Sequence, residues 1–537
     1  MFKRSHTTVL ILIPLTGIIS YIYGHFLDNA IIFDDLPFFM VDNNGHQPVS
    51  NYHFSVLELR SLPYATLAWT KEFFGLAMVN FRITNLILHL TSVVTLYLFA
   101  LCIFAEILKK TDHSKNINPQ LAAFFAALLF GLHPVSTYAV GYLVQRTTVM
   151  ATLFSLLAML SYAKGSIQGK LFLIWLALPF YYFAVFSKEH AIMLPAVLVT
   201  LTILLHEDWP NQLKQRWKLF LALAFIAVVV ILIKRNVLGS AYEIYADDML
   251  SDHNIAYPLS VLTQTWLYFK YLFLWIAPHP LWMSIDMREP FASSLLSPYL
   301  FASVLFVAWG CIALWLLLRR SIAALIGFAM LYPWLMFMTE LSSVRIQEVF
   351  VLYRSYLWAP GLFCLIPVIF LRVEKNTASL ILSLIAIALV PISMDRLVTL
   401  SHPVLLWDDA ARLLAGRTTL PGANRIYYNR GTELLKIDSN DKAIEDFKMA
   451  IKITDNIANV HGNLGVAYFK QQDWKNAASS FSRAIQINYD SGNGVNPRHI
   501  YGRAQAYEAM GFLDRARADY LVSCDLVKRG CEKLEKL

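Results

Sequence analysis

Charge is what this chain has least of. Asp, Glu, Lys and Arg make up 15% of its 537 residues, against 57% hydrophobic and 14% aromatic. Soluble domains carry about a quarter charged residues, so composition excludes a free-standing globular protein and calls for a bilayer as solvent. Nucleotide signatures are missing too: no glycine-rich loop of the P-loop or Rossmann kind follows a strand signal, and no His/Cys set has metal-ligand spacing. Cysteine is sparse, with five in all. Cys102, Cys311 and Cys364 sit inside apolar runs, where a thiol acts as a small hydrophobe. The formal charge of +8 does not point to nucleic acid, because the excess is spread over short Lys/Arg clusters between apolar runs. Such clusters set membrane topology. No Asn-X-Ser/Thr sequon is present, in keeping with a bacterial source.

What fills the chain instead is apolar sequence. Runs long enough to cross a bilayer, about 17–25 residues, lie near 8–25, 80–108, 119–141, 147–163, 170–187, 190–206, 218–234, 259–277, 298–318, 321–339, 351–371 and 377–394. Lys3 and Arg4 precede the first run and no small-residue cleavage site follows it, so an uncleaved anchor with a cytoplasmic start is expected. The clusters Lys109/Lys110/Lys115, Lys164/Lys170, Lys214/Arg216/Lys218, Arg319/Arg320 and Arg372/Lys375 should share that side. Twelve crossings would strand Arg319 and Arg320 on the wrong side, so one run between 235 and 297 should not cross. The run 259–277, interrupted by Lys270 and followed by Ala-Pro-His-Pro, reads as an interfacial or re-entrant helix. The expected fold is all-α: a polytopic bundle of about 11 transmembrane helices over 1–400, with a first extracytoplasmic loop at 26–79. The Asp34/Asp35 loop, His133-Pro134, Lys188-Glu189, the 236–257 loop and the 340–354 segment then share the outer face.

Beyond a linker at 401–423 the sequence turns polar and repeats itself over 424–537. Gly431, Ala443, Phe447 and Ala450 recur 34 residues later as Gly465, Ala477, Phe481 and Ala484. A third copy follows the insertion Ser491-Gly-Asn-Gly-Val495 as Ala504, Tyr507, Ala516 and Tyr520. This is the period and small/large pattern of tetratricopeptide helix pairs, which stack into a solenoid with a concave face for a peptide or partner. Near its end, Cys524 and Cys531 would lie about 10 Å apart on one helix, but a left-handed Gly530 can fold Cys531 back into disulfide range.

The chemistry is concentrated at the outer face. Asp34 and Asp35 adjoin the first apolar run, and carboxylates beside hydrocarbon are costly unless paired, hydrated or used. Such a group can serve as general base toward a hydroxyl, and the pair has the oxygens to hold a divalent cation. The plainer alternative is a helix start, since Asp35-Leu36-Pro37 also suits an N-terminus. A phosphate leaving group needs fixed cations. Arg60, Arg82, Arg146, Lys188, Arg345 and Arg354 are the candidates, Arg354 within Leu352-Tyr-Arg-Ser-Tyr-Leu357. Glu189 completes a Lys-Glu-His turn that reads equally as a surface charge pair, and His133-Pro134 equally as a kink with a satisfied imidazole.

The motifs Phe33-Asp-Asp35, Arg60-Ser-Leu-Pro63, Phe81-Arg-Ile-Thr-Asn-Leu-Ile-Leu-His89, Leu129-Phe-Gly-Leu-His-Pro134, Gln145-Arg146, Ser187-Lys-Glu189 and Tyr353-Arg-Ser-Tyr-Leu-Trp-Ala-Pro-Gly361, followed by the repeats, occur in a telling order. Together they resemble the transmembrane O-mannosyltransferases targeting cadherins and their bacterial relatives. Tyr138 and Tyr353 depart from that pattern, which has Glu at each place. The resemblance implies a GT-C glycosyltransferase fold, a polyprenyl-phosphate-linked sugar donor, and Asp34 or Asp35 as base. It implies Arg354, Lys188, Arg146 and Arg60 as donor-phosphate ligands, with His133, Glu189 and Tyr356 around them. The expected acceptor is a Ser or Thr of an exported protein, such as a pilin, presented by a periplasmic repeat domain at a bacterial inner membrane. An en bloc oligosaccharyltransferase, a lipid-modifying aminosugar transferase and a non-catalytic scaffold for envelope assembly are the rival readings.

Overall fold

The structure, a computed structural model, describes residues 2–40, 48–109, 117–234, 255–346, 348–492 and 494–534, with side chains from residue 10 onward. Lys110, Lys115, nearly all of the 236–257 loop and the side chains of Lys3 and Arg4 therefore lie outside the described residues. The chain forms two compact units, one of Met1–Ile285 with Pro290–His402 and one of Asp286–Glu289 with Pro403–Leu537. Among the described residues both are helical, without a β-strand.

The larger unit is a bundle of apolar helices. Five are long and apolar enough to cross a membrane: Met78–Lys109, Leu143–Gln168, Pro298–Leu318, Ile322–Ser342 and Lys375–Thr399. Two bent pairs raise the number to as many as seven, and Leu10–Gly24, Leu171–Ser187, Glu189–Leu205 and Ala359–Arg372 are shorter apolar helices. Ala256–Ile276, expected not to cross, is absent from this set and is one unbroken helix of 21 residues. Small residues set the close approaches. A Cβ on Gly327 would come 2.5 Å from the carbonyl oxygen of Ala313, so the helices Pro298–Leu318 and Ile322–Phe337 meet backbone to backbone there.

Breaks in the helices fall where the sequence removes donors. Pro134 ends the helix Pro119–Leu132, and the chain bends by 62° into Pro134–Val140. The run 351–371, expected as one span, is instead 3-10 helix over Leu352–Leu357 and Ala359–Leu365, with a short α-helix Ile366–Arg372. Pro360 and Pro367 each withdraw an amide, and Gly361 packs so closely on Tyr332 that a Cβ would stand 2.7 Å from its ring. The tight helix holds Arg354 on the bundle rim instead of inside a regular span.

In the smaller unit, helix pairs Ala423–Lys436/Asn440–Ile453, Ala458–Lys470/Trp474–Asp490 and Pro497–Ala509/Leu513–Val527 form the three expected repeats. The recurring glycines are steric necessities: a Cβ at Gly431 or Gly465 would stand 2.9 Å or 2.8 Å from the rings of Phe447 and Phe481. The segment expected as linker contributes a further helix, Pro403–Leu414, burying Leu406, Trp407, Ala410 and Leu414. Arg430 forks onto Asp446 (2.8 and 2.7 Å), and Arg503 forks onto Asp519 (2.8 Å for both contacts). Cys524 and Cys531 form a disulfide with Cα atoms 5.0 Å apart. The fold-back uses two left-handed residues, Lys528 as the helix cap and Gly530 after it, where the sequence suggested Gly530 alone.

Candidate active site

The first loop is fastened to the turn after Val140. Arg82 donates to the carbonyls of Asn29, Ala30 and Gly141 at 2.9, 2.5 and 2.7 Å, tying both segments to the helix Met78–Lys109. Asp35 is fully buried and accepts the amides of Val144 (2.8 Å) and Leu143 (3.3 Å). Burial pushes its carboxyl up to about 7, against the pull of the Val144 amide and of Arg82. The Tyr142 hydroxyl accepts the Asp34 amide at 2.9 Å, and the Phe33 ring stacks on Tyr142. Phe33 takes φ +47, a left-handed conformation that costs a bulky residue about 1–3 kcal/mol. Strain of this kind persists where the surroundings over-determine it, and here it separates the neighbouring aspartates. Asp35 faces the protein interior, whereas Asp34 is half-buried and faces a cleft.

That cleft, of about 800 Å³, gathers most of the remaining candidates. Arg60, Lys188, Lys234, Arg345 and Arg354 line it with Asp34, Glu189 and Glu348. Arg60, itself left-handed at φ +64, forks onto Glu189 at 3.0 and 2.5 Å, and Lys234 also pairs with Glu189. Behind the wall, Glu340 pairs with His190, Arg345 and Arg354 at 3.1, 3.1 and 3.2 Å, and Arg354 reaches Glu348 at 3.4 Å. Lys188 differs from these. Only 7% of it is exposed, yet its ammonium donates to the Gln145 side-chain carbonyl (3.2 Å) and lies 5.4 Å from the centre of the Tyr353 ring, and among the described residues it forms no ion pair with a carboxylate. Burial, with the Arg60 charge nearby, pulls it down to about 7. A buried cation so weakly compensated is suited to an anion brought from outside.

Five expected site residues lie elsewhere. Asp35 is a clamp on backbone amides and cannot reach a substrate in the cleft. Arg146 is fully buried, donating to Asn85 (2.6 Å), Thr66, Thr70 (both 3.2 Å) and the Phe81 carbonyl (3.0 Å), so its fork is spent on protein. The same is true of Arg82. His133 accepts the Val135 amide, donates to the Trp275 carbonyl at 3.1 Å and stacks on Trp275, which is the kink reading. Tyr356 donates to His89, 2.7 Å away inside the bundle. Sequence reasoning missed Lys234, Glu340 and Glu348. Glu340 ends an apolar run, the same signal that singled out Asp34. A divalent cation at the aspartate pair does not fit, because Asp35 points its oxygens at amides; among the described residues no group of three or more His, Cys, Asp or Glu converges as a metal site.

Residues 425–457 and 458–491 each match a family model described as tetratricopeptide repeat. The chain is 29% identical over 162 residues to Protein O-mannosyl-transferase TMTC1 of Mus musculus, covering 29% of this chain and 17% of that relative. It is 26% identical over 195 residues to a protein O-mannosyl-transferase of Caenorhabditis elegans, covering 36% and 25%, and 28% identical over 162 residues to the Homo sapiens TMTC1, covering 29% and 18%. The matches thus span a quarter or less of the length of these relatives.

Proposed function

We propose that this membrane protein is an inverting protein O-glycosyltransferase that moves a sugar from a polyprenyl-phosphate donor to Ser or Thr hydroxyls of an exported protein. The observation that carries the reading is the cleft shared by a half-buried carboxylate, Asp34, and a buried cation, Lys188, that pairs with no carboxylate among the described residues. The names of the relatives support protein O-glycosylation as the reaction class. Asp34 takes the proton of the acceptor hydroxyl as its oxygen attacks the anomeric carbon. The bond from that carbon to the phosphate oxygen breaks, and the phosphate departs as a monoester dianion. Lys188, with Arg354 and Arg60 on the same cleft, stabilises the charge that develops. The proton leaves Asp34 to solvent.

In this reading the cleft opens on the periplasmic side of a bacterial inner membrane, the N-terminus is cytoplasmic, and the repeats present the acceptor. The polyprenyl chain lies along Ala227, Val230 and Ile231, the apolar wall from the helix Trp217–Ile233. A pure scaffold would have no use for a strained residue holding a carboxylate toward a cleft. Intact-mass spectra of exported proteins from cells carrying the native chain, Asp34→Asn or no chain test the proposal. Hexose-sized increments should vanish in the second and third strains alike. Increments persisting with Asp34→Asn would refute the role of the base.

A further inference from the structure

Three aromatic rings make mutual contact at the cleft, two of them in its lining. Phe38 and Tyr52 stack with centres 5.3 Å apart, and Tyr64 lies 5.1 Å from each. Phe38 and Tyr64 line the cleft. Packing from behind against the cluster of Phe39, Val49, Leu67, Phe81 and Leu143 holds both rings in place, while each keeps part of its surface exposed. Tyr64 also sits one turn after Arg60, its amide on the Arg60 carbonyl at 3.2 Å, so the ring and the Arg60–Glu189 fork share one rigid helix start.

The cleft lining is chemically mixed. It has aliphatic side chains at Ala227, Val230 and Ile231, basic ones at Arg60, Lys188 and Arg354, and aromatic rings at Phe38, Tyr64 and Tyr353, two of them phenols. A pyranose fits the aromatic rings. One face of the ring is a patch of C–H bonds that packs on an aromatic π-face, and its edges are hydroxyls that exchange hydrogen bonds with Tyr. A prenyl chain has no use for the hydroxyls and finds the aliphatic side chains instead. We propose that Phe38, Tyr52 and Tyr64 form the stacking platform on which the transferred sugar lies, orienting its anomeric carbon between Lys188 and Asp34. This rests on the transfer reading above. The platform selects for a hexopyranose as a class, through ring shape, and Phe38 and Tyr64 are its specificity-determining residues.

The test measures binding of two soluble probes, farnesyl phosphate and farnesyl-phosphate mannose, to the full chain in detergent. Phe38→Leu, Tyr64→Leu and Tyr64→Phe are compared with the native protein, the Leu variants keeping apolar volume so that the loop stays packed. The two Leu variants should bind the sugar-bearing lipid about tenfold more weakly and the sugar-free lipid unchanged, with Tyr64→Phe losing less than Tyr64→Leu. Equal loss for both lipids, or no loss for either, would overturn the platform. Failure of the transfer reading shows separately, as native protein that does not bind farnesyl phosphate or binds it no better than Lys188→Ala.

Discussion

Arg430 and Arg503 in the repeats and Lys188 in the bundle are cations with opposite arrangements. Each arginine forks onto an aspartate of its own repeat, sixteen residues on, with four contacts of 2.7–2.8 Å between them. Lys188 is more deeply buried, yet among the described residues it meets an amide carbonyl and the face of Tyr353 in place of a carboxylate. Removing a charge from water costs several kcal/mol, so a cation without an anion persists only when the surroundings fix it in place. The repeats spend their charge on shape. The cleft keeps a cation that, among the described residues, has no carboxylate paired with it. The repeats also contain their own control: the middle repeat has Leu464 and Ser480 at the places of the Arg and Asp, and its helix pair forms all the same.

The largest expected effect falls on Asp34. Asp34→Asn should lower transfer about 10²–10⁴-fold, the usual contribution of a general base, with an unchanged melting temperature. Lys188→Met comes next and sharpens the contrast. Transfer should fall about 10²–10³-fold while the melting temperature holds or rises, because the substitution removes a buried charge; a fall in both would make Lys188 structural like the arginines. Asp35→Ala should behave the other way. It leaves the Leu143 and Val144 amides unpaired and should cost about 1–3 kcal/mol in denaturant unfolding, with transfer reduced only through the position of Asp34.

In the repeats, Arg430→Leu strands the Asp446 carboxylate and should destabilise by about 1–3 kcal/mol, whereas Arg430→Leu with Asp446→Ser copies the middle repeat and should recover most of that loss. Calorimetry of the full chain distinguishes the two.

The smallest effect is that of pH. The folded pKa of Lys188, about 7, lies below the ordinary 10.5, so between those values the folded chain binds fewer protons than the unfolded one. Its contribution to stability therefore rises with pH across that window. Binding of a lipid phosphate runs in the opposite sense, because the anion needs the ammonium. Farnesyl phosphate affinity should weaken as pH rises above about 7 and stay flat in Lys188→Arg.

Much of this architecture is legible in the residues themselves. Apolar runs and a 34-residue recurrence are periodic signals, and both survive translation into helices. The cleft was legible as a set of groups expected to share one face of the bundle but not as a geometry. Asp34 and Asp35 are chemically identical neighbours on one 3-10 helix, and the distant amides of Leu143 and Val144 hold the second inward while the first lines the cleft. Arg146 and Arg354 both stand beside apolar sequence, and what separates them is whether Asn85, Thr66 and Thr70 converge on the guanidinium or the carboxylates of Glu340 and Glu348 do. Contacts over sixty or more residues leave no local mark. Two signals were present and unread: Glu340 at the end of its apolar run, and the Arg/Asp pairs of the first and third repeats with equal spacing.

On this reading Asp34 and Lys188 act on one donor in one cleft. Transfer from farnesyl-phosphate mannose to extracts of exported proteins by the full chain in proteoliposomes tests it most directly, with Asp34→Asn and Lys188→Met assayed singly and together. The account predicts that either substitution nearly abolishes transfer and that the double variant is scarcely worse than the more severe single, as groups acting as a unit are non-additive. Near-native transfer by Asp34→Asn in a folded protein would contradict it.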